Sequence, residues 1–449
     1  MITPYSGSLT KIIDKLTEHG ANVRQDAFSI TIKIDITKKE TNIEKLRSYT
    51  YFLLNKFVNQ YFVHIDGIPY CLMPDASRYM TYTKKDGVSY KKMEGCKKCK
   101  FCNTCPGWEN NHKLDVLPPP VNDVPSEIVL EITKKCNLRC TVCWSAHSNK
   151  EIPLARIKAV IDECADQGIK IVRFSGGEPL LHKDAPEALY YAKSKKLHVI
   201  LNTNATVLTK KIEKAIVHCV DNCLVSLQGF DAASEKFLTK SPMNFRKKMR
   251  NLVVLNSRLN TFRLGTIISK TLINNFEKYH YLIRKLGVKS WELYRPMLLD
   301  DAGEFDITRE DILWLMERVK EIKLGGFDCK IASPVPFCVS EDLNLSKYVL
   351  LGATAADGHS RIVYDVDGFF KPSYYMSQNL GEKVIDSWQN PFLLKIRSLD
   401  YLPQKCRDCF YLKWCKGGSR QLAKVASDDY LNYDPLMNRT QEYCISETI

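Results

Sequence analysis

The chain predicts an α/β fold organised around a parallel sheet, and three observations carry that expectation. Short apolar runs between residues 126 and 295 alternate with amphipathic helical patterns, as strands do when helices return the chain across a sheet. Polar loops rich in Cys, Gly, Ser and Asn stand where those runs end. Cysteine-rich segments flank the alternating region on both sides.

Taken in order, strand-like runs cover Glu127 to Thr133, Ile171 to Phe174, His198 to Leu201, Cys223 to Leu227, Phe262 to Ile268 and Ser290 to Leu293. Helical periodicity fills the gaps, as at Leu154 to Gln167, Thr209 to His218 and Phe276 to Leu286. Strands separated by crossover helices are parallel. The chemistry of parallel barrels gathers at the carboxyl ends of strands. The cysteine loop after the first run, Ser175-Gly176-Gly177-Glu178-Pro179, Asn202-Thr203-Asn204 and Ser226-Leu227-Gln228-Gly229 all fall there. Thr308 to Lys323 reads as a further amphipathic helix with a Thr cap and acidic residues in its first turn.

The cysteine loop reads Lys135-Cys136-Asn137-Leu138-Arg139-Cys140-Thr141-Val142-Cys143-Trp144. A four-iron cube takes four ligands, so three thiolates on one loop leave one iron open to something other than protein. Structural zinc usually pairs two Cys-x-x-Cys knuckles or adds histidines, and here only Cys140 and Cys143 have knuckle spacing. This loop and the Gly-Gly-Glu-Pro element after Ile171-Val172-Arg173-Phe174 resemble those of radical S-adenosylmethionine (radical SAM) enzymes.

The resemblance implies a partial (β/α)6 TIM-like barrel. It also implies a SAM-binding 4Fe-4S cluster on Cys136, Cys140 and Cys143, whose open iron chelates the amino and carboxylate groups of S-adenosyl-L-methionine. An electron from that cluster cleaves SAM to methionine and a 5'-deoxyadenosyl radical. By the same resemblance Gly176 and Gly177 let the backbone approach SAM and Glu178 accepts from its ammonium. Ser226 contacts its ribose or carboxylate, and Trp144 lies near the adenine. Val142 and Gln228 depart from the aromatic and the aspartate that many relatives carry.

Cys406, Cys409, Cys415 and Cys444, with Lys416-Gly417-Gly418-Ser419 after the third, resemble the SPASM/twitch extension of radical SAM enzymes. Ser373 and Ser419 stand where relatives put further cysteines, leaving Cys338 as a survivor of the other ligand set. One C-terminal auxiliary 4Fe-4S cluster on Cys406, Cys409, Cys415 and Cys444 is therefore expected, with a zinc ribbon as the alternative. Near the other end, Cys96, Cys99, Cys102 and Cys105 precede Pro106-Gly107. Cys96, Cys99 and Cys105 repeat the spacing of Cys406, Cys409 and Cys415. Cys71 ends a strand-like run from Phe62. An N-terminal twitch-like module is inferred, with its own iron-sulfur cluster on Cys96, Cys99, Cys105 and either Cys71 or Cys102. A zinc site or a peptide-recognition module is the alternative.

Leu117-Pro118-Pro119-Pro120 and the stretch Met297 to Glu304 mark boundaries. The expected domains are 1–120, cysteine-rich; 121–305, the radical SAM core; and 306–449, the auxiliary cluster domain. A length of 449 residues suits two or three domains, and 45% hydrophobic content supplies their cores. The chain has 17 cysteines with no secretory segment and no stretch of transmembrane length, which predicts a reducing, cytoplasmic setting without membrane attachment. Net charge is +14, and seven lysines fall between Lys84 and Lys100. Such a run is read first as a solvated face offsetting cluster charge, and nucleic acid as a partner is not favoured. None of the nine histidines pairs informatively with an acid or cysteine, and no Walker loop or serine elbow appears.

The expected activity is that of a radical SAM oxidoreductase or transferase acting oxidatively on a peptide or protein side chain, fed by an electron donor such as flavodoxin or ferredoxin. A dehydrogenase or rearrangement enzyme for a sugar, nucleotide or cofactor precursor is the first alternative. A zinc-binding, non-catalytic RNA or assembly factor is the second. No catalytic acid or base is assigned.

Overall fold

Each strand expected between residues 127 and 294 is present in the computed structural model, which describes residues 8–58, 60–112, 123–145, 147–242, 245–297, 303–350 and 358–437. Cys444, the Leu117 to Pro120 boundary and most of the stretch after Met297 lie outside the described residues. The chain divides into two compact units, Met1–Asp123 and Val124–Ile449. No helix among the described residues is long and apolar enough to cross a membrane.

The first unit holds α1 (Leu9–Glu18), β1 (Ala21–Gln25), β2 (Ser29–Ile34), α2 (Ile43–Phe57), β3 (Phe62–Asp66) and β4 (Met80–Thr81), followed by the pair β5 (Tyr90–Lys91) and β6 (Trp108–Glu109). Its sheet runs β1-β2-β3-β4, antiparallel at the first pairing and parallel after it. Alternate residues Ile30, Ile32 and Ile34 are buried with Leu16, Leu46, Leu53 and Ile65, which is the period-two signature of a half-covered strand. Asn42 caps α2 by accepting from the Lys45 N–H at 3.0 Å. The strand-like run from Phe62 to Cys71 is shorter than its pattern. Gly67 adopts φ +92°, where a Cβ would sit 2.1 Å from the Ile34 carbonyl oxygen, and Pro69 opens a 3-10 turn over Tyr70–Leu72.

The second unit is built on β7 (Glu127–Thr133), β8 (Ile171–Gly176), β9 (His198–Thr203), β10 (Asn222–Ser226), β11 (Phe262–Ile267) and β12 (Ser290–Tyr294). These are parallel and adjacent in chain order. The sheet is longer than the six strands expected. β13 (Asp328–Ile331) adds a parallel strand beside β12, β14 (Arg361–Tyr364) pairs in parallel with β7, and β15 (Phe370–Lys371) closes that edge antiparallel. These late strands have only two to four residues, too short for alternation to show. Residues beyond 305 therefore build part of the same sheet.

The connections are α3 (Leu154–Asp166), α4 (Ala185–Ser194), α5 (Lys210–Cys219), α6 (Ala232–Thr239), α7 (Phe245–Arg258), α8 (Lys270–Asn274), α9 (Phe276–Lys285) and α10 (Arg309–Leu324). Thr308 and Asp311 form a reciprocal capping box at the start of α10. Helices cover one face of the sheet: Phe276 and Tyr279 of α9 lie against the fully buried Trp291 of β12. The other face carries charge. Arg173 pairs with Glu127 at 2.5 Å, Arg263 with Glu292 at 2.5 Å, Lys330 with Glu292 at 3.1 Å and Arg361 with Glu127 at 3.8 Å. Burial alone would raise the Glu292 carboxyl, but Arg263 and Lys330 hold it well below the usual carboxylate range.

Candidate active site

The carboxyl ends of β7 to β10 converge on the cysteine loop. Asn204, just past β9, reaches it with one side chain, whose Nδ2 donates to Asn137 Oδ1 at 3.0 Å and lies 3.9 Å from Cys136 Sγ. Asn137 donates to Thr206 at 2.7 Å, Arg139 N–H donates to the Thr239 carbonyl at 2.9 Å, and Ser241 donates to the Asn137 carbonyl at 3.1 Å. The loop after β9 and the carboxyl end of α6 thus hold the cysteine loop. Val142 is buried with Leu238 and Phe305, so its small side chain completes an apolar contact.

Cys136, Cys140 and Cys143 are half-buried and free of disulfides, and Cys143 is close enough to disfavour the thiolates of both Cys136 and Cys140. Burial pushes all three thiols up, Cys140 to about 12. Among the described residues no three His, Cys, Asp or Glu side chains converge closely enough to hold one metal ion.

Beside Cys140 lies a pair that sequence reasoning missed. Lys248 of α7 and Glu235 of α6 meet at 2.6 Å with side chains 1% and 0% exposed. Glu235 also accepts from the backbone N–H groups of Gln228, at 2.9 Å, and Gly229. The Ser226-Leu227-Gln228-Gly229 loop is thereby tied to the cysteine loop, with Ser226 half-buried at the end of β10. Gln228 spends its side chain accepting from the Ile267 N–H at 3.0 Å.

The glycine pair clamps the cysteine loop from below. Gly177 N–H donates to the Thr133 carbonyl at 2.7 Å and Glu178 N–H to the Lys135 carbonyl at 2.8 Å. Gly176 has φ +138° with a Cβ position 2.3 Å from the Thr133 carbonyl oxygen, and Gly177 has one 2.3 Å from that of Lys135. Gly177→Ala is expected to cost about 1–3 kcal/mol by overpacking and to displace the loop that carries Cys136. Thermal unfolding and cluster content measured together check this; an unchanged melt with full cluster content would contradict it.

Glu178 is fully buried, and burial raises its carboxyl. Its oxygens accept from Thr203 Oγ1 at 2.7 Å, Asn204 N–H at 2.6 Å and Leu180 N–H at 3.1 Å. In the structure this carboxylate locks the end of β9 to the glycine loop, a positioning role. Trp144 stands in a cage of Tyr374 at 4.9 Å, Lys134 at 5.6 Å and Lys371 at 5.7 Å. Behind it Lys371 pairs with the buried Glu131 at 2.6 Å. The signal for these polar partners was present as charges inside apolar runs: Glu127 and Glu131 in Glu127–Thr133, Arg173 in Ile171–Gly176 and Glu292 in Ser290–Tyr294.

Further along the chain, Cys406 and Cys415 lie on the one-turn helices Gln404–Arg407 and Leu412–Cys415 with Cys409 between them, and Ser419 accepts from the Leu422 N–H at 3.2 Å as a helix cap. Ser373 accepts from the Tyr375 N–H at 3.1 Å, so both serines at expected cysteine positions serve as turn or cap acceptors. In the first unit Cys71 has Cys96, Cys99 and Cys105 as electrostatic neighbours.

Residues 130–264 match the Radical SAM superfamily. The chain is 28% identical over 352 residues to the AdoMet-dependent heme synthase of Methanosarcina barkeri, covering 72% of this chain and 97% of that protein. It is 37% identical over 342 residues to the PqqA peptide cyclase of Bradyrhizobium diazoefficiens, covering 70% of this chain and 86% of that one. Its fold is similar to that of Streptococcus suis SuiB bound to precursor peptide SuiA, with a TM-score of 0.58 at 16% identity over 70% of this chain and 75% of that chain. With a parallel sheet whose carboxyl edge gathers the cysteine loop and the glycine clamp, and with relatives alike over most of its length, the chain belongs to the radical SAM superfamily.

Proposed function

We propose that this enzyme oxidises a carboxylate-bearing peptide or protein side chain, using Cys136, Cys140 and Cys143 as the ligands of the cluster that meets SAM. That cluster supplies, when bound, the electron that cleaves SAM reductively. The chain's own residues position it: Asn204 beside Cys136, Lys248 and Glu235 beside Cys140, and the glycine clamp beneath. Gly176, Gly177, Glu178, Ser226 and Trp144 form the surroundings proposed for SAM, with Glu178 acting through the backbone it holds. An external one-electron donor such as flavodoxin or ferredoxin feeds the site. Cys406, Cys409, Cys415 and a fourth thiolate would hold a C-terminal auxiliary cluster, which would supply an acceptor for the electron left after hydrogen abstraction, with the proton leaving to solvent. The substrate accordingly ends two hydrogens poorer.

The observation that carries the peptide reading is the extent of the likeness to the PqqA peptide cyclase. The charged sheet face supports the carboxylate: Arg173, Arg263, Lys330, Arg361 and Lys371 stand there against Glu127, Glu131, Glu292 and Asp365, one positive charge in excess. A second reading, a carboxylate-bearing cofactor precursor, is favoured by the heme synthase likeness, which runs through 97% of that protein. Mass analysis of candidate acidic peptides after incubation with reduced enzyme and SAM tests the first. A peptide lighter by two hydrogens is the expected result. Unchanged peptides together with an altered tetrapyrrole carboxylate would overturn it in favour of the second.

A further inference from the structure

The cysteine loops of the two units share more than spacing. In the first, Cys96 N–H donates to the carbonyl of Met93 at 2.9 Å, Cys99 to Cys96 at 3.1 Å, Cys102 to Cys99 at 2.9 Å, Thr104 to Phe101 at 3.1 Å and Cys105 to Phe101 at 2.8 Å. In the second, Cys406 donates to Pro403 at 2.9 Å, Cys409 to Cys406 at 3.1 Å, Leu412 to Cys409 at 3.0 Å, Trp414 to Tyr411 at 3.0 Å and Cys415 to Tyr411 at 2.9 Å. The bonds match one for one. An aromatic residue, Phe101 or Tyr411, holds the same place in each, and a glycine of positive φ, Gly107 or Gly417, follows the third cysteine. In both loops the third sulfur lies against the backbone N–H of that glycine.

The match extends to a distant turn. Pro69-Tyr70-Cys71-Leu72 and Pro336-Phe337-Cys338-Val339 are both 3-10 turns entered through proline, each closed by an N–H to proline carbonyl bond of 3.0 Å. Tyr70 stacks on Phe101 at 4.6 Å, and Phe337 meets Tyr411 at 5.6 Å. Cys105 sulfur lies against the backbone of Tyr70, and Cys415 sulfur against that of Phe337. Each turn therefore delivers its cysteine, Cys71 or Cys338, beside the third cysteine of the loop. Cys102, by contrast, matches Leu412, which packs into the small apolar cluster of Cys338, Leu402 and Met437. Its thiol points to Asn103 Oδ1 at 3.4 Å.

We propose that the two units carry copies of one four-thiolate iron-sulfur module, in which the Pro-aromatic-Cys turn gives the fourth ligand: Cys71 with Cys96, Cys99 and Cys105, and Cys338 with Cys406, Cys409 and Cys415. The sets are tetrathiolate, so each cluster is closed to substrate and serves electron transfer or structural support. Iron rather than zinc follows from the auxiliary-cluster reading of these cysteines, and the metal content of the protein decides between them. This assignment replaces Cys444 as the C-terminal fourth ligand and selects Cys71 over Cys102. It rests on the auxiliary-cluster reading above.

The test uses the full chain prepared anaerobically with Cys136, Cys140 and Cys143 all replaced by alanine, so that only the auxiliary sites remain. About eight irons per chain are expected. Cys96→Ala/Cys99→Ala and Cys406→Ala/Cys409→Ala should each halve that count. Serine keeps a thiol's shape but ligates iron poorly, so Cys71→Ser and Cys338→Ser should each yield a three-iron electron paramagnetic signal on mild oxidation. Cys102→Ser and Cys444→Ser should not. In the otherwise unaltered holo-protein, alkylation mapped by mass spectrometry should spare Cys71 and Cys338 and label Cys102 and Cys444. Stoichiometric zinc in place of iron, or the signal and protection moving to Cys102 or Cys444, would overturn the proposal. SAM cleavage and peptide oxidation are separate readouts, so their failure would count against the enzyme reading alone.

Discussion

Replacing Cys136, Cys140 and Cys143 together by alanine is expected to reduce SAM cleavage to background while the iron at the other cysteine sets stays in place. The three thiols stand on one short loop, with Cys143 a neighbour of both Cys136 and Cys140. That is the arrangement that leaves an iron open to SAM, and no other cysteine set in the chain shares it. The measurement is 5'-deoxyadenosine released by dithionite-reduced protein, read beside iron content. Undiminished release from the triple variant would remove the cluster assignment to these residues.

Lys248→Met should be the most destabilising single change near the site, at about 3–5 kcal/mol, because it strands a buried carboxylate. Glu235 is fully buried, and its remaining acceptor capacity is committed to Gln228 and Gly229. With the lysine gone, the carboxylate must either take up a proton or draw in water, and each course loosens the loop after β10 and the neighbourhood of Cys140. Denaturant unfolding of the single variant and of Lys248→Met/Glu235→Gln separates the causes. The double variant should recover part of the loss, since no uncompensated charge remains. A single variant within about 0.5 kcal/mol of the parent would show that the pair is not needed.

Much of the fold was legible because its strands are long enough to show apolar runs and its helices carry a 3.6-residue period. Glu127–Thr133 and Ile171–Gly176 are such cases. Asp328–Ile331 and Arg361–Tyr364 were not legible: four residues carry no period, and their places in the sheet come from partners far away in sequence, such as Arg361 opposite Glu127. The cysteine loop was legible because metal chemistry demands particular residues at particular spacings. The pairing of Lys248 with Glu235 was not, since the two residues face each other only once α6 and α7 pack. Glu178 shows the same limit from the other side. Its place in the motif points to a ligand contact, and the fold adds three protein donors, from Leu180, Thr203 and Asn204, that only packing brings to the same carboxylate. The repeat of Cys96-x-x-Cys99 in Cys406-x-x-Cys409 could be seen in sequence, whereas spacing could not choose between Cys71 and Cys102 or pair Cys338 with its counterpart Cys71, because the two stand at unequal distances from their loops.

That the radical generated at this cysteine loop acts on a peptide side chain is tested most directly by following the hydrogen. Reduced enzyme is incubated with unlabelled SAM and a perdeuterated acidic peptide, and deuterium in the released 5'-deoxyadenosine is measured by mass spectrometry. The account predicts deuterium in 5'-deoxyadenosine together with a peptide that has lost two hydrogen isotopes. Unlabelled 5'-deoxyadenosine beside an unchanged peptide, with label transferred only from a deuterated small carboxylate, would contradict it.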